Sequence, residues 1–176
     1  MVLDVMSVRR GREEVEASFA SVYNAHHRGA VRLAYLMTGD TFMAEDVVAD
    51  AFAKVWVQWQ RGRVSDAGPY VRRAVVNTIN SRWRRKAIER REAEKRSGDE
   101  RGIVLADAAS ADRDEMWQAL GRLPERQRAA IVLRYYEDLS EAETAEVLGV
   151  SVGTVKSQVS RGLVRLREVV GDAGGT

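Results

Sequence analysis

Apolar side chains recur at steps of three and four residues over much of the chain, which is the spacing of one face of an α-helix. The first such stretch ends just before Gly39, a residue type that commonly terminates helices. Its apolar positions are Phe19, Val22, Tyr23, Ala30, Leu33, Ala34 and Met37. The pattern therefore predicts a first core helix that ends before Gly39.

Two more helices are predicted in the N-terminal half. Asp40 or Thr41 can cap the second helix, which ends near Gly62, and Pro69 suits the first turn of the third. The apolar face of the second helix consists of Val48, Phe52, Val55, Trp56 and Trp59, with Glu45, Asp46 and Asp50 on its other sides. The apolar side of the third consists of Val71, Val75, Val76, Ile79 and Trp83, with Arg73, Asn77, Asn80, Ser81 and Arg84 opposite.

The apolar periodicity fails between Lys86 and about Ala111, where mixed charges pass into the small-residue stretch LADAASA. This composition is typical of a flexible linker, so a domain boundary is expected here. Beyond it, a short helix ending at Gly121 and a longer one opening at Pro124 are predicted. Their apolar positions are Met116, Trp117 and Leu120, then Ile131, Leu133 and Tyr135.

The last part of the chain has the spacing of a helix-turn-helix. Ser140 followed by Glu143 is the pattern of a capping box, Gly149 can end the short helix that follows, and Ser151 can cap the next. The apolar stripe of that last helix is Val155, Val159, Leu163, Leu166 and Val170. In this motif the second helix enters the major groove with its N-terminal residues. The candidates for contact with bases and phosphates are Thr154, Lys156, Ser157, Ser160 and Arg161, although a helical hairpin with a solvated polar face has the same spacing.

Composition narrows the possible functions. The chain has no cysteine and only two histidines, which excludes disulfides and thiolate catalysis and leaves too few ligands for the usual zinc sites. No cofactor is therefore expected. No apolar run reaches the roughly 20 residues of a membrane span, and the N-terminus lacks a signal-peptide pattern, so we expect a cytoplasmic protein without membrane insertion. The formal net charge is +2, so the distribution of charge says more about partners than its total.

The segment Leu123 to Glu168, with its opening LPERQR and its run GTVKS, closely resembles region 4 of the sigma-70 superfamily, in particular of extracytoplasmic-function (ECF) sigma factors. The segments TGDTFMAEDVVADAFAKVW and PYVRRAVVNTINSRWRRK resemble regions 2.2 to 2.4 of the same family. The resemblance implies an all-α fold of two small helical domains, a region 2 bundle and a region 4 helix-turn-helix, joined by a flexible linker. The expected division is a tail over 1–14, region 2 over 15–87, the linker over 88–111, region 4 over 112–170 and a tail over 171–176.

The resemblance also implies partners and roles: core RNA polymerase, through its β′ clamp coiled coil and β flap, promoter DNA, and an anti-sigma protein as a further candidate. The second helix would dock on polymerase through Glu45, Asp46 and Asp50, and the last helix would read the minus-35 element. The third helix would read the minus-10 element through Arg73, Asn77, Asn80, Ser81 and Arg84. Asparagine amides can hydrogen-bond the edge of an unpaired base. For the three carboxylates of the second helix, ordinary solvated surface acids are a commoner explanation than docking. Trp83 is assigned to the core, with base stacking as the alternative.

Departures from the family pattern leave promoter preference open. Ala49 stands where relatives often have Gln, and Gln158, Ser160 and Gly162 replace the frequent Arg, His and Ala of the last helix. A helix-turn-helix repressor or activator that dimerises and binds a palindrome alone is the alternative function. An enzyme is disfavoured, because the sequence has no nucleophile paired with a base, no phosphate-binding glycine loop and no metal cluster.

Overall fold

The computed structural model describes residues 2–97 and 115–173, and all the regular structure within these ranges is helical. The helices are α1 (Val2–Thr38), α2 (Thr41–Gln60), α3 (Ala67–Ser97), α4 (Glu115–Gly121), α5 (Glu125–Ile131), α6 (Glu141–Leu148) and α7 (Val152–Ala173). A π-helical turn (Val132–Tyr136) follows α5 directly. We refer to α1–α3 as the N-terminal bundle and to α4–α7 with the π-helical turn as the C-terminal bundle.

The N-terminal bundle forms around the three predicted apolar stripes. Of the two predicted cap candidates, Asp40 caps α2 by accepting a hydrogen bond from the backbone N–H of Met43 at 3.0 Å, and Thr41 is the first residue of the helix. Buried side chains from all three helices meet in one core; among them are Leu33, Met37, Val47, Val48, Val55, Val75, Val76 and Ile79. Aromatic rings extend the contact between α1 and α2, with Phe19 and Trp56 4.8 Å apart between ring centroids. The all-α prediction is confirmed.

Helices α1 and α3 extend further than the apolar pattern indicated. The backbone is helical from Val2, through the segment assigned to an N-terminal tail, and α3 continues to Ser97, into the segment assigned to a linker. The end of α3 carries no apolar stripe, but its Glu, Arg, Lys and Ala residues are strong helix formers that need no packed face. Periodicity alone therefore placed the end of this helix too early. The rest of the predicted linker lies outside the described residues.

The C-terminal bundle contains a turn that the sequence did not signal. After α5 the backbone N–H of Glu137 donates to the carbonyl of Val132, a five-residue π-helical bond of 3.1 Å. Asp138 then adopts a positive φ of 50°, a conformation that Asp tolerates better than most residues. Leu139, buried just beyond, is followed by the cap of α6. The turn thus places the start of the helix-turn-helix against the rest of the bundle.

The two bundles pack against each other and share one hydrophobic core. Ala129, Val132, Leu133 and Leu139 are buried in the same cluster as the core residues of α1, α2 and α3. Helix α5 contacts α1, and α6 contacts α3. The sequence had left the relative arrangement of the bundles open, and in this structure they form a single packed unit.

Candidate nucleic-acid and polymerase interfaces

The helix-turn-helix forms through the local chemistry that the sequence predicted. The hydroxyl of Ser140 accepts from the backbone N–H of Glu143 at 3.2 Å, and the Glu143 carboxylate accepts from the N–H of Ser140 at 2.7 Å. The hydroxyl of Ser140, and after it the backbone N–H of Ser140, act as hydrogen-bond donors toward the Glu143 carboxylate and hold its pKa below the usual range. Gly149 ends α6 in the left-handed conformation with a φ of 66°. Ser151 caps α7 by accepting from the N–H of Thr154 at 3.1 Å.

The five candidate minus-35 residues lie on one side of α7. At about 100° of rotation per residue they fall within an arc of about 160°, opposite the fully buried Val155. Lys156, Ser160 and Arg161 are exposed, and Thr154 and Ser157 are half-buried. The Ser157 hydroxyl donates to the carbonyl of Thr154 at 2.9 Å, so its hydrogen is already used inside the helix. Lys156 lies 3.5 Å from Glu141, an exposed ion pair that a phosphate can replace.

Helix packing explains why residue 162 is a glycine, which the sequence did not reveal. A Cβ built on this residue would lie 2.6 Å from Cδ1 of Ile131 and 3.3 Å from Cβ of Gln127, both on α5. The residue is buried, and α7 continues past it to Ala173. Glycine here allows the close approach of α7 to α5.

The candidate minus-10 residues share the outer face of α3. Arg73, Asn77, Ser81 and Arg84 are exposed, and Asn80 is half-buried. Arg73 forms a 2.8 Å ion pair with Glu146 of α6, so its charge is engaged by the C-terminal bundle. Trp83 is partly buried and packs against the core, which supports its assignment as a core residue.

The candidate polymerase-docking carboxylates are not simply solvated. Arg82 of α3 spans two of them, with Nη1 2.6 Å from Oδ2 of Asp46 and Nη2 2.6 Å from Oδ2 of Asp50. The hydrogen bond to Asp50, followed by that to Asp46, raises the pKa of Arg82. Glu45 is exposed and has no ion-pair partner in the described part of the chain. The two aspartates, four residues apart on one face, are the sequence signal that could have indicated a forked donor such as arginine.

Sequence reasoning also missed three residues outside these sets. Phe42, at the start of α2, is 86% exposed and lies one turn before Asp46. Arg72 pairs with Glu137, and the buried Arg128 donates to the carbonyl of Thr38. Phe42 extends the exposed surface of α2, whereas Arg72 and Arg128 join the two bundles. Over the described ranges, no helix is long and apolar enough to cross a membrane, and no group of His, Asp or Glu side chains could hold a metal ion.

These features define a class of protein: an all-helical chain that pairs a polar-faced N-terminal bundle with a C-terminal helix-turn-helix. Residues 22–88 match the family model for sigma-70 region 2, and residues 113–166 match that for sigma-70 region 4. The chain belongs to the sigma-70 family, in its ECF group.

Similar proteins carry the same family name. The chain is 36% identical to the RNA polymerase sigma-E factor of Streptomyces coelicolor over 141 residues. This aligned region covers 78% of this chain and 77% of that protein. It is 34% identical over 160 residues to the ECF RNA polymerase sigma factor SigM of Mycobacterium tuberculosis, covering 88% and 78% respectively. Among solved structures it resembles the sigma factor RpoE in complex with the anti-sigma factor NepR from Bartonella quintana, with a TM-score of 0.63, 26% identity and coverage of 87% and 96%.

Proposed function

We propose that this protein binds core RNA polymerase and directs transcription initiation at promoters that carry matching minus-10 and minus-35 elements. The observation that carries the proposal is the presence of both regions in one chain: region 2 and region 4 together, each with an exposed polar helix face. A stand-alone repressor or activator needs only the helix-turn-helix. The protein acts by binding and not by catalysis, and it works in the cytoplasm, where promoter DNA and polymerase are found.

Helix α7 reads the minus-35 duplex through Thr154, Lys156, Ser157, Ser160 and Arg161. Exposure of Lys156 and Arg161 on the same side of the helix supports this assignment, because phosphate contacts position such a helix in the major groove. Thr154 and Ser160 supply short hydrogen-bonding groups for base edges or phosphates. The close fit at Gly162 holds this face at a fixed orientation relative to α5.

Helix α3 reads the minus-10 element as melted DNA. Asn77 and Asn80 offer amides to an unpaired base, and Arg84 and Ser81 lie one turn further on, where they can contact the backbone. A base pair hides its Watson–Crick edge, so short amides on a helix reach that edge only after the base has left the stack. Arg73 lies on the same face of α3, and its guanidinium becomes available to DNA when its ion pair with Glu146 breaks.

The exposed face of α2 docks on polymerase. Glu45, Asp46 and Asp50 make this face acidic, which suits a partner surface rich in Arg and Lys. Phe42 adds an exposed aromatic ring beside the carboxylates, and aromatic anchors often contribute strongly to protein interfaces. An anti-sigma protein is a further candidate partner, because the similar RpoE was solved with one.

In vitro transcription with purified core polymerase across a genomic promoter library tests the proposal. We expect transcripts that depend on both proteins and that start downstream of a shared pair of sequence elements. The alternative function makes a different prediction: no polymerase-dependent transcripts, with direct binding of a dimer to a palindromic duplex. Core polymerase supplied with an unrelated sigma factor provides the control for template quality.

A further inference from the structure

The proposed docking face and the proposed DNA-reading helix meet along the contact between α2 and α3, which we call the α2–α3 seam. Arg82 of α3 donates from Nη1 to Oδ2 of Asp46 and from Nη2 to Oδ2 of Asp50, each at 2.6 Å. The two aspartates are one helical turn apart on α2, so a single guanidinium fork reaches both. The carboxylates that polymerase is proposed to bind are therefore already occupied by an arginine of this chain.

Arg82 lies within the DNA-reading segment of α3 although it faces α2. It directly follows Ser81 and stands between Asn80 and Arg84, all three of which are assigned to the minus-10 element. Its side chain is 32% exposed, so the α2–α3 seam does not enclose it. Its position is about 100° from that of Ser81 around the helix axis. A long arginine side chain at this position can turn from α2 toward a strand that lies beside Ser81.

In the free protein the charge of Arg82 is not available to DNA, because two carboxylates neutralise it. The hydrogen bond to Asp50 raises the pKa of Arg82, so the guanidinium stays charged and only a change of partners can uncover it. By contrast, Arg84 donates to the backbone carbonyl of Asn80 at 3.4 Å and has no ion-pair partner in the described part of the chain. Phosphate contacts supply much of the affinity for nucleic acid, so covering Arg82 weakens this face as a DNA-binding surface.

A partner that binds the two aspartates competes with Arg82 for them. The Asp46 side chain is 66% exposed and that of Asp50 52%, so both carboxylates can be approached from solvent. Exposed ion pairs contribute little to stability, and a second cation at the same carboxylates repels the first. One turn further along the seam, Lys54 donates to Oγ1 of Thr78 at 3.0 Å. A displaced Arg82 therefore meets another cation on that side, which leaves the direction of the DNA-reading face open.

We propose that Arg82 is a DNA contact that polymerase docking uncovers. Basic groups of polymerase take the two aspartates, and the released guanidinium binds a phosphate of the melted strand beside Ser81. Docking on α2 and minus-10 recognition by α3 then favour each other, because a strand that holds Arg82 also leaves the aspartates open to polymerase. This rests on the proposed function for the identity of the docking partner. The release of Arg82 toward DNA can be measured without polymerase.

Neutralising the aspartates imitates docking in the free protein. In the Asp46→Asn/Asp50→Asn variant of the full chain, the side chains keep their shape but carry no charge to hold Arg82. The probe is a short, labelled single-stranded DNA of mixed sequence, because a phosphate contact needs no particular base. One added phosphate contact steepens the dependence of log K on log[salt] by about 0.7 for single strands, which is about fivefold in affinity at about 0.1 M salt relative to about 1 M. We expect this variant to show at least that gain.

The same neutralisation without Arg82 separates a new contact from long-range attraction. Removing two negative charges strengthens DNA binding by a similar factor whether or not Arg82 is present, unless Arg82 itself makes a contact. We expect the gain in the wild-type background to exceed the gain in the Arg82→Gln background by about fivefold. Glu89→Gln removes an exposed carboxylate of α3 that is not bound to Arg82, and it should give the same small gain in both backgrounds.

Equal gains from the aspartate substitutions with and without Arg82 would overturn the proposal, and so would no gain in the folded double variant. Helical content and Tm are recorded for each protein. If the double variant does not fold, Asp50→Asn alone is carried through the same comparison, and a gain that is independent of Arg82 has the same meaning there.

The complex with polymerase supplies the reverse test. Arg82→Gln should leave core binding intact, since it frees the aspartates, and should weaken binding of the complex to a pre-melted bubble template by about fivefold. Replacing the phosphates of the bubble one at a time with neutral methylphosphonates should reveal one position to which the wild-type complex is sensitive and the Arg82→Gln complex is not. Identical sensitivity at every phosphate would overturn the contact. If the wild-type chain does not bind polymerase, the proposed function fails, and the single-stranded DNA comparison still decides whether the aspartates cover Arg82.

Discussion

Gly162 shows how one missing methyl group can set the packing of α7 against α5. Replacing it with Ala should gain about 1 kcal/mol of helix propensity. The added Cβ would lie 2.6 Å from Ile131 Cδ1, however, and overpacking of this kind typically costs about 1–3 kcal/mol. We therefore expect Gly162→Ala to lower the free energy of unfolding, measured by denaturant titration. Gly29→Ala is the matched control, because a Cβ there meets nothing within 4 Å, and it should stabilise. Equal stabilisation by both variants would contradict the packing role.

The capping box of α6 makes a pH-dependent contribution to stability. The folded-state pKa of Glu143 is lowered by its hydrogen bonds to Ser140, so the contribution is complete above the unfolded pKa and is lost as the pH falls through the folded pKa. Glu143→Gln retains an acceptor oxygen but does not titrate. The Tm of wild type should exceed that of Glu143→Gln at neutral pH, and the difference should shrink on acidification below the usual glutamate range, about pH 4.3. A difference that stays constant down to pH 3 would show that the ionised carboxylate adds nothing.

At the scale of the residue, the sequence predicted caps well and distant partners poorly. Asp40, Ser140, Gly149 and Ser151 act on groups within a few positions of themselves, so their types and spacing were sufficient. Arg82 was not identified as a partner of Asp46 and Asp50, because it lies 36 and 32 positions away along the chain. The same limit applies to Gly162, whose role depends on a side chain of another helix.

At the scale of the helices, Arg82 joins α3 to α2 through the same carboxylates that are proposed to dock on polymerase. A test of docking must therefore separate loss of these ion pairs from loss of polymerase contacts. Asp46→Arg with Asp50→Arg would reverse the charge of the proposed docking face and also place three arginines together. Adding Arg82→Glu re-forms the ion pairs with opposite polarity. We expect both variants to lose polymerase affinity by at least tenfold in a binding assay, and the triple variant to recover helical stability without recovering binding. Wild-type affinity in the folded triple variant would remove these carboxylates from the docking surface.

The outer face of α3 permits a separate test of melted-strand recognition. Asn77→Ala with Asn80→Ala removes two amides but leaves the packed side of the helix intact. We expect polymerase binding and minus-35 binding to be nearly unchanged, while open-complex formation falls, measured by permanganate reactivity of unpaired thymines. A pre-melted bubble template should restore part of the loss, because it removes the unstacking cost of a few kcal/mol. Opening at the wild-type rate on duplex promoters would show that these amides are only solvated.

At the scale of the whole molecule, helix order and apolar faces followed from periodicity, but the packing of the two bundles did not. The hydrogen-bonded residues that join the two bundles are separated by 65 positions for Arg72 and Glu137, 73 for Arg73 and Glu146, and 90 for Arg128 and Thr38. No local pattern links residues that far apart. The sequence predicted Leu133 as an apolar position of a separate C-terminal domain, and the structure places it, with Ala129, Val132 and Leu139, in a core shared with α1, α2 and α3.

This shared core leads to a prediction about the separated parts. A fragment of residues 112–176 would expose the apolar residues that face the N-terminal bundle, so it should unfold at a lower temperature than the same helices do in the intact chain. Adding a fragment of residues 1–98 should raise that temperature as its concentration rises, because only the folded partner offers the complementary surface. Moderate salt should weaken the effect, since the contact between the bundles includes the exposed ion pair of Arg73 and Glu146.

Glu137→Arg in the C-terminal fragment is the matched control for this association. Glu137 pairs with Arg72, which lies in the other fragment, so the substitution should leave the fragment's own Tm nearly unchanged and reduce its stabilisation by the N-terminal fragment. Restoring the effect with Arg72→Glu in the N-terminal fragment would assign the loss to that ion pair and not to a change in fold. If the wild-type fragments show the same Tm mixed and alone, the bundles are independent domains and the shared core does not persist in solution. Association that survives charge reversal would instead show that the apolar contacts hold the two bundles together without this ion pair.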